Sequence, residues 1–140
     1  MNKIKILETE VEKFQYNTKI RASDLNYGNH LGHDNLISLI HDARLTYFCK
    51  NNIAEVNHEN LYTFMMKSLT IDYINQGYLH ENLDIKVYVG EISKFSFDLK
   101  YSVMRDNSLI ALCLTTLVCY NNSKRRLDHL PPSILSVLTK

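Results

Sequence analysis

One stretch of this chain carries sustained helical periodicity. From Asp34 onward, Leu36, Ile37, Ile40, Ala43, Arg44, Tyr47 and Phe48 recur at three- and four-residue intervals, and Leu39 widens that face. Everything after it reads as strands. A helix so apolar on one side must pack against something broad, and a sheet is the broad surface this chain can supply. Asp34 suits the N-cap position, where its carboxylate would accept a backbone N–H and complement the positive end of the helix dipole. Lys50-Asn51-Asn52 marks the exit.

Before the helix, residues from about Val11 to Ala22 mix β-branched and aromatic residues with charges and predict a first strand. After it, Phe64 to Tyr73 predicts a strand with Leu69, Ile71 and Tyr73 on one side, broken at Gln76-Gly77. Ile85, Val87 and Val89 alternate with Lys86 and Tyr88 up to Gly90. Phe95, Phe97, Leu99, Tyr101 and Val103 alternate with Ser96, Asp98, Lys100 and Ser102, the clearest period-two pattern in the chain. Asp106-Asn107-Ser108 is a hairpin turn. Leu109 to Tyr120 is almost continuously apolar, as in a central strand covered on both faces. Pro131-Pro132 ends the sheet, and Ile134 to Leu138 forms a short helical turn. The expected architecture is α+β: one long helix wrapped by a curved antiparallel sheet of about five strands. The four strands after the helix are expected as a meander, and residues 1–140 as one domain.

The chain has 140 residues, enough for one core and short of two. Its 45% apolar content is too high for a disordered chain. A net charge of +1 argues against a dedicated nucleic-acid binder. The three cysteines, Cys49, Cys113 and Cys119, are an odd number without close spacing, and two lie in an apolar run, so a reducing compartment fits better than a disulfide framework. No apolar run suits a signal peptide or approaches the roughly 20 residues of a membrane span. The expectation is a soluble cytoplasmic protein that binds neither membrane nor nucleic acid.

The chemistry concentrates in Ser23-Asp24-Leu25-Asn26-Tyr27-Gly28-Asn29-His30-Leu31-Gly32-His33-Asp34-Asn35, which holds two of the chain's four glycines, two carboxylates and two histidines. A polar, glycine-kinked turn feeding a buried helix needs partners for its carbonyls, amides and imidazoles.

With the element order, this turn resembles that of the hotdog-fold acyl-CoA thioesterases, closest to the 4-hydroxybenzoyl-CoA thioesterase-like branch. Members carry a turn of the general form Asp-x-Asp-x-x-Gly-x-x-x-His before the central helix. Asp42-Ala43-Arg44 is similar to the Glu-Ala-Arg often found within that helix. The specific likeness is confined to about Arg21 through Arg44. Counting back seven from His33, the usual catalytic aspartate falls on Asn26, and Asp24 occupies the preceding acidic position. Other hotdog thioesterases place an asparagine in this turn and take the carboxylate from elsewhere. The resemblance implies hydrolysis of an acyl-CoA or acyl-carrier-protein thioester, with no cofactor beyond the coenzyme A of the substrate. It also implies a homo-oligomer, dimer or tetramer, with the site between subunits. A non-catalytic acyl-thioester binder and a hotdog dehydratase or hydratase are the alternatives.

Thioester hydrolysis needs a carboxylate, as general base or nucleophile, and a donor for the oxyanion. Asp24 and Asp34 are the candidate carboxylates, Asn26 would orient water or the carbonyl, and His30 or His33 would face the thioester. Tyr27, Gly28 and Gly32 are candidate substrate contacts, the glycines because backbone can approach a ligand closely there. Each has a plainer role available. Asp34 fits an ordinary N-cap, Asp24 with Asn26 an Asx-turn, and either histidine a backbone-bonded turn residue. Asp42 fits a partner for Arg44 or a solvated residue. Arg125 and Arg126 could contact a coenzyme A phosphate or form a solvated strand end. Met65 and Met66 fit core packing better than an acyl pocket.

Overall fold

A computed structural model describes residues 4–55 and 61–140. The element order is β1 (Phe14–Lys19), a single 3-10 turn (Ala22–Asp24), α1 (His33–Lys50), β2 (Tyr62–Tyr73), β3 (Asn82–Ile92), β4 (Ser96–Arg105), β5 (Ser108–Asn121), β6 (Arg126–Leu127) and α2 (Pro132–Leu138). The expected α+β architecture, one long helix on an antiparallel sheet, is what forms. Residues Val11 to Lys13 and Ile20 to Ala22 fall outside β1, and the two-residue β6 was not expected.

The strand order is β1-β3-β4-β5-β2, with β6 pairing on β5. This corrects the expected meander. Strands β3, β4 and β5 follow one another, but β2 crosses to the far side of β5, so that Tyr62 pairs with Asn121 and Tyr73 with Ala111. The swap has a physical reason. Strand β5 is the most apolar run, and placing β2 beside it gives it a hydrogen-bonded neighbour on both sides. The inward residues Ala111, Cys113, Thr115, Leu117 and Cys119 are fully buried, and the outward Leu112 and Val118 are buried as well.

Helix α1 lies on the inner face. Leu36, Leu39, Ile40, Ala43, Tyr47 and Phe48 are buried, and Phe48 meets Phe64 and Phe97 in a cluster of tilted and edge-on rings. The helix ends where Asn51 donates its side-chain amide to the Tyr47 carbonyl at 2.8 Å and Asn52 turns left-handed with φ of 60°.

One expectation about packing fails. Met65 and Met66 are exposed, not core, because β2 is an edge strand and a bulge between Met66 and Ser68 breaks its alternation. Of the two readings of Asp42 the solvated one holds: it is exposed, and Arg44 pairs with Glu55 instead.

Candidate active site

The helix N-cap lies two residues earlier than the sequence suggests. Gly32 is the N-cap, His33 the first helical residue, and Asp34 sits in the first turn; no side chain caps the end. Asp34 is therefore not the N-cap. Glycine is accepted at that position and has no oxygen to offer the amides, which leaves the first N–H groups of α1 pointing outward without an intrahelical partner. The first helical bond runs from the Leu36 amide to the Gly32 carbonyl at 3.0 Å. A Cβ at Gly32 would come within 2.8 Å of Asp34 Oδ1, so the glycine also makes room for that carboxylate.

Asp34 is exposed, and its carboxylate has no hydrogen-bond partner among the described residues. His33 is exposed too. Its carbonyl accepts from the Tyr73 hydroxyl at 2.9 Å, and its ring meets the Tyr73 ring edge-on with centroids 6.3 Å apart. Burial, the Cys113 sulfur and the Asp34 charge together push the Tyr73 hydroxyl pKa up. Tyr73, 40 residues beyond His33, is a site residue that sequence reasoning placed only as a strand position.

Asp24 lies elsewhere in the chemistry. It is buried, and its carboxylate accepts from the Arg21 amide at 2.9 Å and from the Arg21 guanidinium at 3.2 Å on each oxygen. Burial alone would push the carboxyl up. The Arg21 side chain and backbone, with Asn35 behind them, outweigh that and hold it below the usual aspartate range. Its own carbonyl accepts from Gly32 at 2.9 Å, so Asp24 ties the 3-10 turn to the helix start.

Asn26 organises the middle of the turn. Its Oδ1 accepts from the Gly28 amide at 2.8 Å and the His30 amide at 3.4 Å, and its Nδ2 lies 3.3 Å from His30 Nδ1. Asn29 takes the left-handed conformation with φ of 65°, which asparagine tolerates. A Cβ at Gly28 would sit 3.1 Å from His30 Nε2, so that glycine lets the imidazole fold back over the turn. The floor comes from the β2–β3 connection, where the Leu31 amide donates to the Gly77 carbonyl at 2.8 Å and His30 bridges Tyr78.

The structure thus gathers Asn26, Gly28, His30, Gly32, His33 and Asp34 around one helix end. Tyr27 is fully exposed on the same turn. Arg125 and Arg126 are not part of this cluster. They sit on the β5–β6 hairpin, Arg125 left-handed with φ of 53°, beside the Tyr62 end of β2. The site lies at the Tyr73 end, about 35 Å away along an extended strand. Burial pushes the thiol of Cys113 up to about 12 and that of Cys119 to about 11, so neither is a ready thiolate.

A second polar cluster lies deeper along α1. Arg44 is buried and pairs with Glu55, Nε to Oε1 at 3.2 Å, while its terminal nitrogen meets His41 Nδ1. Glu55, not Asp42, is the partner of Arg44. Nothing local in the sequence marks this pairing, because Glu55 lies beyond the helix end.

A 1,4-dihydroxy-2-naphthoyl-CoA thioesterase from Synechocystis superposes with a TM-score of 0.84 at 16% identity, over 91% of this chain and 96% of that one. A Staphylococcus aureus protein solved in complex with CoA gives 0.84 at 16% identity, over 96% and 86%. A gentisyl-coenzyme A thioesterase gives 0.79 at 13% identity, over 89% and 99%. No curated protein sequence matches significantly. The family model described as thioesterase-like superfamily matches residues 20–138, from the end of the first strand through α2. The chain belongs to the thioesterase-like superfamily and has its hotdog fold.

Proposed function

We propose that this protein hydrolyses an acyl thioester of coenzyme A or of a carrier protein at the N-terminus of α1. The observation that carries the reading is the unengaged Asp34 carboxylate in the first turn of a glycine-capped helix. Free amides at that end polarise the thioester carbonyl and receive the developing oxyanion, aided by the positive end of the helix dipole. Asp34 then acts as general base toward water or as direct nucleophile. Asn26 and His30 hold the turn that frames the carbonyl, and His33, braced against Tyr73, lines its entrance. Asp24 serves the architecture, since its carboxylate is committed to Arg21. Arg125 and Arg126 lie too far away to reach the same site in one protomer. In a homodimer or tetramer with the site between subunits they would contact the nucleotide phosphates from the partner.

Among the described residues, no helix is long and apolar enough to cross a membrane. A soluble, cytoplasmic enzyme acting without a cofactor other than the substrate's own coenzyme A is the corresponding proposal.

Asn26 also favours a second reading, a binder of acyl thioesters without turnover, because it stands where the family's aspartate falls and spends its carboxamide on the turn. One experiment separates the two: incubation with short, long and aromatic acyl-CoA esters while thiol release is followed. Thiol release supports hydrolysis. Silence across the panel with measurable binding establishes the binder.

A further inference from the structure

A groove follows the exposed stripe of α1 from Ile37, about one turn beyond Asp34. Asp34 and His41 are seven residues apart, two helical turns, so they share a face at a separation of about 10 Å. Between them Ile37 and Ser38, with Met66 and Leu69 of β2 opposite, line a cavity of about 290 Å³. A second cavity of about 960 Å³ continues past Leu45 and Cys49 toward Tyr62 and Phe64. His41 lines both cavities. Since β2 runs from Tyr62 at the far end to Tyr73 at His33, helix and strand wall the groove along its whole length.

The state of the His41 ring follows from its neighbour. A guanidinium can only donate, so Nδ1 against the Arg44 terminal nitrogen must accept, which places the ring proton on Nε2. Arg44 is fixed in turn: it is buried, paired with Glu55, and electrostatically coupled to the buried Tyr101 hydroxyl, which burial pushes up to about 12. His41 thus presents one oriented donor, Nε2–H, in a groove whose walls also carry Ser38, Asp42, Asn52 and Glu55. Glu55 offsets the charge of Arg44 and Asp42 adds a second carboxylate to the wall, so the donor suits a neutral oxygen; a carboxylate on the ligand would meet like charge there.

We propose that His41 is a specificity-determining residue that donates from Nε2 to a hydroxyl or carbonyl oxygen carried on the acyl chain about 10 Å from the thioester carbonyl. In an extended chain that distance corresponds to roughly eight or nine bonds. The substrate class is then a medium-chain oxygenated acyl thioester. This inference rests on the thioester reading of the helix N-terminus.

The test is calorimetric binding of non-hydrolysable thioether analogues of medium-chain acyl-CoA, matched in length and ending in methyl, hydroxyl or carboxylate. The hydroxyl analogue should bind about fivefold tighter than the methyl one, as one net hydrogen bond implies, and tighter than the carboxylate. His41→Phe should bring the hydroxyl-to-methyl ratio to one or below, and His41→Gln, which keeps an N–H donor, should restore part of it. An unchanged ratio in His41→Phe, or equal binding of hydroxyl and methyl analogues by the parent protein, overturns the role of His41 while leaving the thioester reading intact. No binding of any analogue, with no thiol release from any ester, overturns both.

Discussion

Asn26 and His30 clasp each other through backbone and side chain at once. The Asn26 amide donates to the His30 carbonyl at 2.9 Å, the His30 amide returns to Asn26 Oδ1, and the two side-chain nitrogens meet. The clasp closes a turn whose neighbouring residues are glycine and left-handed asparagine, which have little intrinsic preference for it. The carboxamide of Asn26 therefore has a structural task in this turn.

The clasp can be weighed by substitution. Asn26→Ala removes the acceptor shared by two backbone amides and should cost about 1 kcal/mol in urea denaturation, solvent compensating the exposed Gly28 amide in part. Asn26→Asp keeps both acceptors and should cost less than half as much. Equal losses for the two variants would mean that Oδ1 does not hold the turn.

Asp34→Asn tests the proposed chemistry. Removing the carboxylate should lower kcat at least 10²-fold on any acyl-CoA ester that the parent hydrolyses. Helix stability should fall by only about 0.5 kcal/mol through the lost dipole interaction. Circular dichroism of the variant checks the fold. A kcat within tenfold of the parent would remove Asp34 from the mechanism.

Acid should loosen the same region through Asp24. Its folded pKa lies below the ordinary value near 3.8, so the Asp24–Arg21 interaction stabilises the fold fully above that value. The contribution is lost as pH falls below about 4 and through the depressed folded pKa. Asp24→Asn should flatten this part of the stability–pH curve, read from thermal midpoints between pH 2 and 6. An identical acid slope in parent and variant would contradict it.

Tyr47 offers a gain. Its hydroxyl is buried and has no hydrogen-bond partner among the described residues, while its ring stacks on Phe14 with centroids 5.9 Å apart. Burial also pushes its pKa up. Tyr47→Phe keeps the ring contact and removes an unpaired polar atom, and should stabilise by about 1 kcal/mol. A loss of stability on chemical denaturation would show that the hydroxyl has a partner.

The elements that announce themselves in the sequence are those whose environment is simple. Helix α1 buries one face and β4 alternates cleanly, so both are legible from periodicity. The position of β2 is not, because pairing with β5 instead of β3 is decided by which strand most needs neighbours on both sides. The polar turn stood out by crowding alone. What each member does depended on contacts from far along the chain: Tyr73 under the His33 carbonyl, Gly77 under Leu31, and Glu55 against Arg44. Asp24 and Asp34 look alike as letters, and only the nearby Arg21 and the glycine cap set them apart.

The pairing of β1 with β3 bears on how the protein comes to work. Phe14 meets Val87, and the turn between β1 and α1 rests on Gly77, so the earliest part of the chain waits for a segment made much later. Contacts at such separation close slowly, after the local helix has formed. During synthesis α1 can therefore exist before the surroundings of its N-terminus do, with its open amides facing water. Competence arrives only with the completed sheet, and a chain cut short before β3 would carry the residues of the site without the site.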